Sequence, residues 1–248
     1  MTKLKLLALG VLIATSAGVA HAEGKFSLGA GVGVVEHPYK DYDTDVYPVP
    51  VINYEGDNFW FRGLGGGYYL WNDATDKLSI TAYWSPLYFK AKDSGDHQMR
   101  HLDDRKSTMM AGLSYAHFTQ YGYLRTTLAG DTLDNSNGIV WDMAWLYRYA
   151  NGGLTVTPGI GVQWSSENQN EYYYGVSRKE SARSGLRGYN PNDSWSPYLE
   201  LSASYNFLGD WSVYGTARYT RLSDEVTDSP MVDKSWTGLI STGITYKF

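Results

Sequence analysis

Counting back from the carboxyl end, every second residue (Phe248, Tyr246, Ile244, Thr242, Ile240, Gly238, Trp236) is apolar at most places and aromatic at both ends. The residues between them, Lys247, Thr245, Gly243, Ser241, Leu239 and Thr237, are mostly small or polar. Side chains alternate faces along a β-strand, so this stretch predicts a strand with one oily and one wet side. Aromatics at both ends of the oily face are the arrangement of a strand that crosses a bilayer, where rings sit at the two interfaces.

The pattern recurs. Trp195, Pro197, Leu199, Leu201, Ala203, Tyr205 and Phe207 alternate with Ser196, Tyr198, Glu200, Ser202, Ser204 and Asn206, and Leu154 to Trp164 alternates with Thr155 to Ser165. Weaker copies cover 139–149, 211–222, 78–89, 107–118 and 122–130, and the Gly-rich stretches 26–35 and 59–71 fit the same template. Connections alternate between tight (119–121, 150–153, 208–210) and long, polar ones (90–106, 166–194, 223–235). Outer-membrane barrels have short periplasmic turns and longer outer loops, so a periplasmic Phe248 puts every long connection after Lys90 outside. The fold expected is all-β, a single antiparallel transmembrane β-barrel over 23–248 with long outer loops at 36–58, 90–106, 166–194 and 223–235. Val46 to Tyr54 carries Pro48 and Pro50, which lack ladder N–H groups, and is assigned to the first outer loop. Ten strands result, or twelve if Gly63 to Gly67 holds a turn. The closing Tyr246 and Phe248 are candidates for the signal that barrels present to their assembly machinery.

The amino end agrees. Lys3 and Lys5, the apolar run Leu6 to Ile13, and Ala20-His21-Ala22 form the layout of a cleaved secretory signal over 1–22, since the run is shorter than the roughly 20 residues of a membrane span. Together with the barrel this places the protein in the outer membrane of a Gram-negative bacterium, against lipid and lipopolysaccharide. A mean hydropathy of −0.38 does not oppose that, because a barrel needs apolar residues only at alternate positions. The absence of Cys excludes disulfides and thiolate chemistry. The net charge of −5, spread along the chain, gives no reason to expect nucleic acid as a partner.

Alternation turns Arg62, Arg125, Asp142, Arg148, Glu200 and Arg218 inward, where a charge avoids the cost of about 2–4 kcal/mol that a lipid-facing Arg bears at the midplane. Mixed signs predict internal pairing and a plugged lumen; a selective pore is the alternative. No catalytic pattern emerges. Gly112 to Ala116 lacks the second Gly of a nucleophile elbow, and Asp41 to Asp45 lacks the Gly and distal Glu of a calcium loop. His97 and His101, near Asp96, Asp103 and Asp104, lie in a polar loop and read as solvated rather than as zinc ligands. No cofactor or metal is expected, and the reading is of a protein that is not an enzyme.

The segment 171–189 is the least ordinary, with Tyr172, Tyr173, Tyr174, Arg178 and Tyr189 able to stack and pair on a ligand or in the lumen. This Tyr-Tyr-Tyr-Gly-Val-Ser run, the Ser-Gly-Leu and Tyr189 after it, Ser229-Pro230 and the ending Gly243 to Phe248 resemble the MipA/OmpV outer-membrane family over essentially the whole chain. The resemblance implies a scaffold in peptidoglycan (murein) synthesis that bridges a murein lytic transglycosylase and a bifunctional penicillin-binding protein. The alternative is a small-solute channel or surface receptor. A scaffold sits uneasily with the topology, because the partners act from the periplasmic side, where the expected turns are short.

Overall fold

The computed structural model describes residues 25–248, so the leader expected at 1–22 lies outside the described residues. Thirteen strand segments form one antiparallel sheet: β1 Lys25–Glu36, β2 Asp45–Glu55, β3 Phe59–Arg62, β4 Gly65–Asn72, β5 Asp76–Ser85, β6 Thr108–Thr119, β7 Gly122–Asp131, β8 Ile139–Leu146, β9 Tyr149–Asn151, β10 Leu154–Ser165, β11 Ser194–Leu208, β12 Trp211–Arg221 and β13 Trp236–Lys247. β13 pairs with both β12 and β1, and β10 with β11, so the sheet closes on itself.

Twelve staves cross the wall, because β8 and β9 are one stave. Both pair with β10 in a single unshifted register, Leu146 opposite Gly159 and Tyr149 opposite Val156. The break faces Pro158, whose carbonyl accepts from the Tyr147 N–H but whose nitrogen has no hydrogen to give back.

The two staves beyond the expected ten come from the Pro-bearing run and from a turn at Gly63, where φ is +57°. Residues 45–55, expected in the loop 36–58, form β2 and pair with β1 along its length, leaving a connection of only 37–44. The prolines are tolerated because alternate residues of a strand aim their backbone groups to opposite sides. Ile52 gives its carbonyl to Gly63 at the tip of the β3–β4 hairpin, so Pro48 and Pro50 face that same side, above the point where the short hairpin has ended. No ladder bond is lost.

Alternation in burial follows alternation in sequence. On β11, Ser194, Ser196, Tyr198 and Glu200 are buried while Trp195, Leu199 and Leu201 are exposed, and Ile80, Leu113, Leu128, Trp141, Ile160, Ile240 and Ile244 continue the outward band. Apart from the Gly63 turn at the tip of the short β3–β4 hairpin, the tight turns lie at the end that carries Lys25 and Phe248. There Phe248 donates its N–H to Phe26, and Phe26, Phe248, Tyr246 and Trp211 form a chain of ring contacts at 4.9–5.7 Å. Candidate assembly residues Tyr246 and Phe248 thus close the β1–β13 seam.

The other end is covered. Four connections contribute to one buried cluster: Tyr39 and Tyr42; Phe89, Ala91, Met99 and Leu102; Tyr173, Tyr174, Val176 and Leu186; and Leu222, Val226 and Met231. This is a second core, built from loops, and it forms a cap over the mouth.

Candidate functional site

Inside the barrel, four of the six inward charges form one network. Arg125 on β7 makes a two-pronged pair with Glu200 on β11, both prongs 3.0 Å, and approaches Asp142 on β8 at 3.5 Å. Arg218 on β12 bonds the other Asp142 oxygen at 3.0 Å and lies over the Tyr198 ring, 3.5 Å from its centre. The Tyr198 hydroxyl donates to Asp142 at 2.9 Å and accepts from Arg125 at 3.3 Å. Planar guanidinium against carboxylate gives paired, directional bonds, which favours Arg over Lys at such a site. Two cations and two anions cancel, and the aromatic ring fills the space between them. Arg125, Tyr198 and Glu200 are 5%, 2% and 8% exposed, so the network is buried inside the barrel.

The remaining two charges lie elsewhere. Arg62 pairs with Glu55 at the turn end, where Lys77 and Tyr69 also bond Glu55. Arg148 follows the kink opposite Pro158 and is exposed toward the same end. Tyr198 was not singled out in the sequence, although it lies two residues before Glu200 and therefore on the same face.

The cap is held by polar contacts around its apolar core. Connection 166–193 contains helix α1 (Glu167–Tyr174) and helix α2 (Arg178–Ser184). The side chain of Ser166 caps α1, and Ser177 with Glu180 forms a capping box on α2, which ends at Gly185 in the left-handed region with φ +78°. Glu180 does more than cap: it accepts from the Asp103 N–H and from the Arg105 guanidinium at 2.8 Å, both partners of that ion pair being buried. Burial alone would raise the Glu180 pKa, but the N–H groups of Ser177 and Asp103 and the Arg105 charge outweigh it and hold the carboxyl below the usual range.

Of the tyrosines expected to act together, Tyr173 and Tyr174 are core residues of the cap. Tyr172 stands at its rim, where its hydroxyl accepts from the Lys106 N–H, and Tyr189 forms an antiparallel bridge to Val176 and donates its hydroxyl to the Glu225 carbonyl. Arg178 opens α2 with its side chain exposed. The segment therefore folds into the cap and does not enter the lumen network. His97 and His101 have ring centres 4.8 Å apart, with His101 Nδ1 at the His97 carbonyl, and among the described residues no three His, Asp or Glu side chains gather as metal ligands.

Comparison with known proteins gives this geometry its setting. The family described as MltA-interacting protein MipA matches residues 28–248. The MltA-interacting protein of Escherichia coli (strain K12) is 99% identical over 248 residues, covering 100% of both chains. The putative outer membrane protein YiaT of the same organism is 39% identical over 90% of this chain and 91% of its own. Outer membrane protein OmpV of Vibrio cholerae is 24% identical over 91% of this chain and 88% of its own. Among solved structures, an outer membrane channel from Pseudomonas putida F1 aligns with 94% of this chain and 98% of its own at 10% identity and a TM-score of 0.49. The chain belongs to the MltA-interacting protein (MipA) family and is an outer-membrane β-barrel.

Proposed function

We propose that this barrel is a non-enzymatic scaffold that holds a murein lytic transglycosylase, and with it a bifunctional penicillin-binding protein, at the inner face of the outer membrane. The observation that supports the reading over a channel is the network of Arg125, Asp142, Tyr198, Glu200 and Arg218, whose inward charges are spent on one another instead of being left to a solute. The name of the 99% identical relative supports the transglycosylase as partner. In this reading the turn end faces the periplasm and the cap faces outward, as the lengths of the connections suggest.

The docking surface is then the rim of tight turns. Exposed Tyr121 and Leu208 stand there, with Phe248 nearby, each about 70% exposed. Short turns offer a small patch per copy where a standard interface buries roughly 1,600 Å² in total, so in this reading one copy binds modestly and several copies on one assembly bind better. Retention of purified transglycosylase and penicillin-binding protein on the immobilised, detergent-solubilised barrel tests this. Retention no greater than on an unrelated barrel overturns it. Tyr121→Asp lowers retention about tenfold if the rim is the contact, as loss of a central aromatic anchor does.

A further inference from the structure

The outer surface of the cap contains a cleft of about 380 Å³, open to solvent, between the connection 132–138 and helices α1 and α2. This falls within the range of about 300–1,000 Å³ typical of small-molecule sites. Its walls mix polar groups with the apolar surface of Tyr172, Gly175 and Val176. Arg105, Glu180, Glu171, Tyr172, Asn168 and Asn190 line it.

Three features of this lining restrict what it can hold. Arg105 is 7% exposed and bonds Glu180, Gly175 and Asp103, yet its Nε–H is buried with no acceptor. A buried guanidinium donor left unpaired beside a cleft is an exception that calls for an oxygen. The charge on Arg105 is already matched by Glu180, so the lining carries a net negative charge from Glu171, and phosphates and acidic groups are disfavoured. Among the described residues the side chains of Glu171 and Asn190 take part in no hydrogen bond, and Asn168 spends only its amide nitrogen, on the Asn137 carbonyl. Carboxylate and carboxamide groups offer paired donors and acceptors in a plane, and the Tyr172 ring beside them supplies an apolar face.

From this we infer that the cap cleft is a binding site for a neutral or amino-bearing saccharide of one or two rings. Hydroxyl groups would meet Glu171, Asn168 and Asn190, and the C–H face of a ring would lie against Tyr172. The site is independent of the rim proposed for murein enzymes, being at the opposite end of the barrel. Occupancy of one leaves the other free.

The test is saturation-transfer NMR on the detergent-solubilised full chain, with glucosamine, N-acetylglucosamine and galactose as probes and glucuronate as the acidic control. The expected result is saturable binding of at least one neutral or amino sugar at millimolar concentration, with glucuronate about tenfold weaker. Asn190→Ala and Glu171→Ala, both at exposed positions, weaken it about tenfold while the heat-modifiable mobility of the folded barrel stays that of the parent. Absence of saturable binding by every probe at about 50 mM overturns the inference. So does glucuronate binding as tightly as the others, or both variants binding like the parent.

Discussion

Glu200 is worth more to this protein through what it neutralises than through the attraction it supplies. Removing one partner of a buried pair strands the other charge, which costs about 3–5 kcal/mol, whereas replacing both with apolar groups of similar volume is far milder. Glu200→Ala is therefore expected to lower stability by about that amount in urea unfolding from lipid vesicles, and Arg125→Met combined with Glu200→Leu to lower it less. Tyr198→Phe keeps the ring under Arg218 and loses the bond to Asp142, a change of about 1 kcal/mol. Alternation was enough to turn Arg125, Asp142, Glu200 and Arg218 inward. It could not show which charge meets which, because Arg125 and Glu200 are 75 residues apart and their meeting depends on the curvature of the closed sheet. Arg62 was legible in direction but not in company, since its partner Glu55 lies across the tight β2–β3 turn that the sequence reading placed in a loop.

At the level of single elements, the seam strand β13 shows why glycine stands at inward positions. Gly31 and Gly243 are opposite one another, and a Cβ on either would run into the facing backbone and into the Tyr214 side chain, its hydroxyl at Gly31 and its ring at Gly243. Tyr214 covers the gap the two glycines leave. Gly243→Val is expected to destabilise the barrel by about 1–3 kcal/mol, read as a lower midpoint for loss of heat-modifiable mobility. Pro50→Ala, by contrast, stays within about 0.5 kcal/mol, because its nitrogen faces no partner strand. Helix α2 carries the pH response of the cap. The Glu180 carboxyl titrates lower in the folded cap than in an unfolded chain, so its contribution is complete above the unfolded value of about 4.3 and disappears as pH falls through the lower folded value. Protease cleavage within 166–193 is expected to be slow at neutral pH and to accelerate under acid conditions below that unfolded value, and Glu180→Gln to remove much of the difference. The Ser-x-x-Glu pattern at 177–180 was readable as a helix start; the burial of Tyr173 was not, since it takes four connections to enclose it.

For the molecule as a whole, the proposed scaffold reading puts two obstructions in series, the cap and the charge network. Planar-bilayer recording of the parent is expected to show no discrete conductance, and excision of the α2 turn to leave it silent, because Arg125, Tyr198 and Arg218 still fill the passage. Currents are expected only when the cap is cut and Arg218→Ala and Tyr198→Ala empty the interior together. A steady conductance in the parent would contradict the scaffold reading in favour of a pore. The barrel architecture was visible in the sequence because lipid imposes a strict two-residue rhythm. The cap was hidden because connections obey no rhythm, and their contacts are spread over much of the chain. One detail links the two: Tyr39 bridges Val232 and Lys40 donates its N–H to Met231, so the connection after β1 and the one before β13 meet directly above the seam. An antibody raised against that junction would recognise only chains whose first and last staves have found each other, and would serve on living cells as a stain for completed insertion.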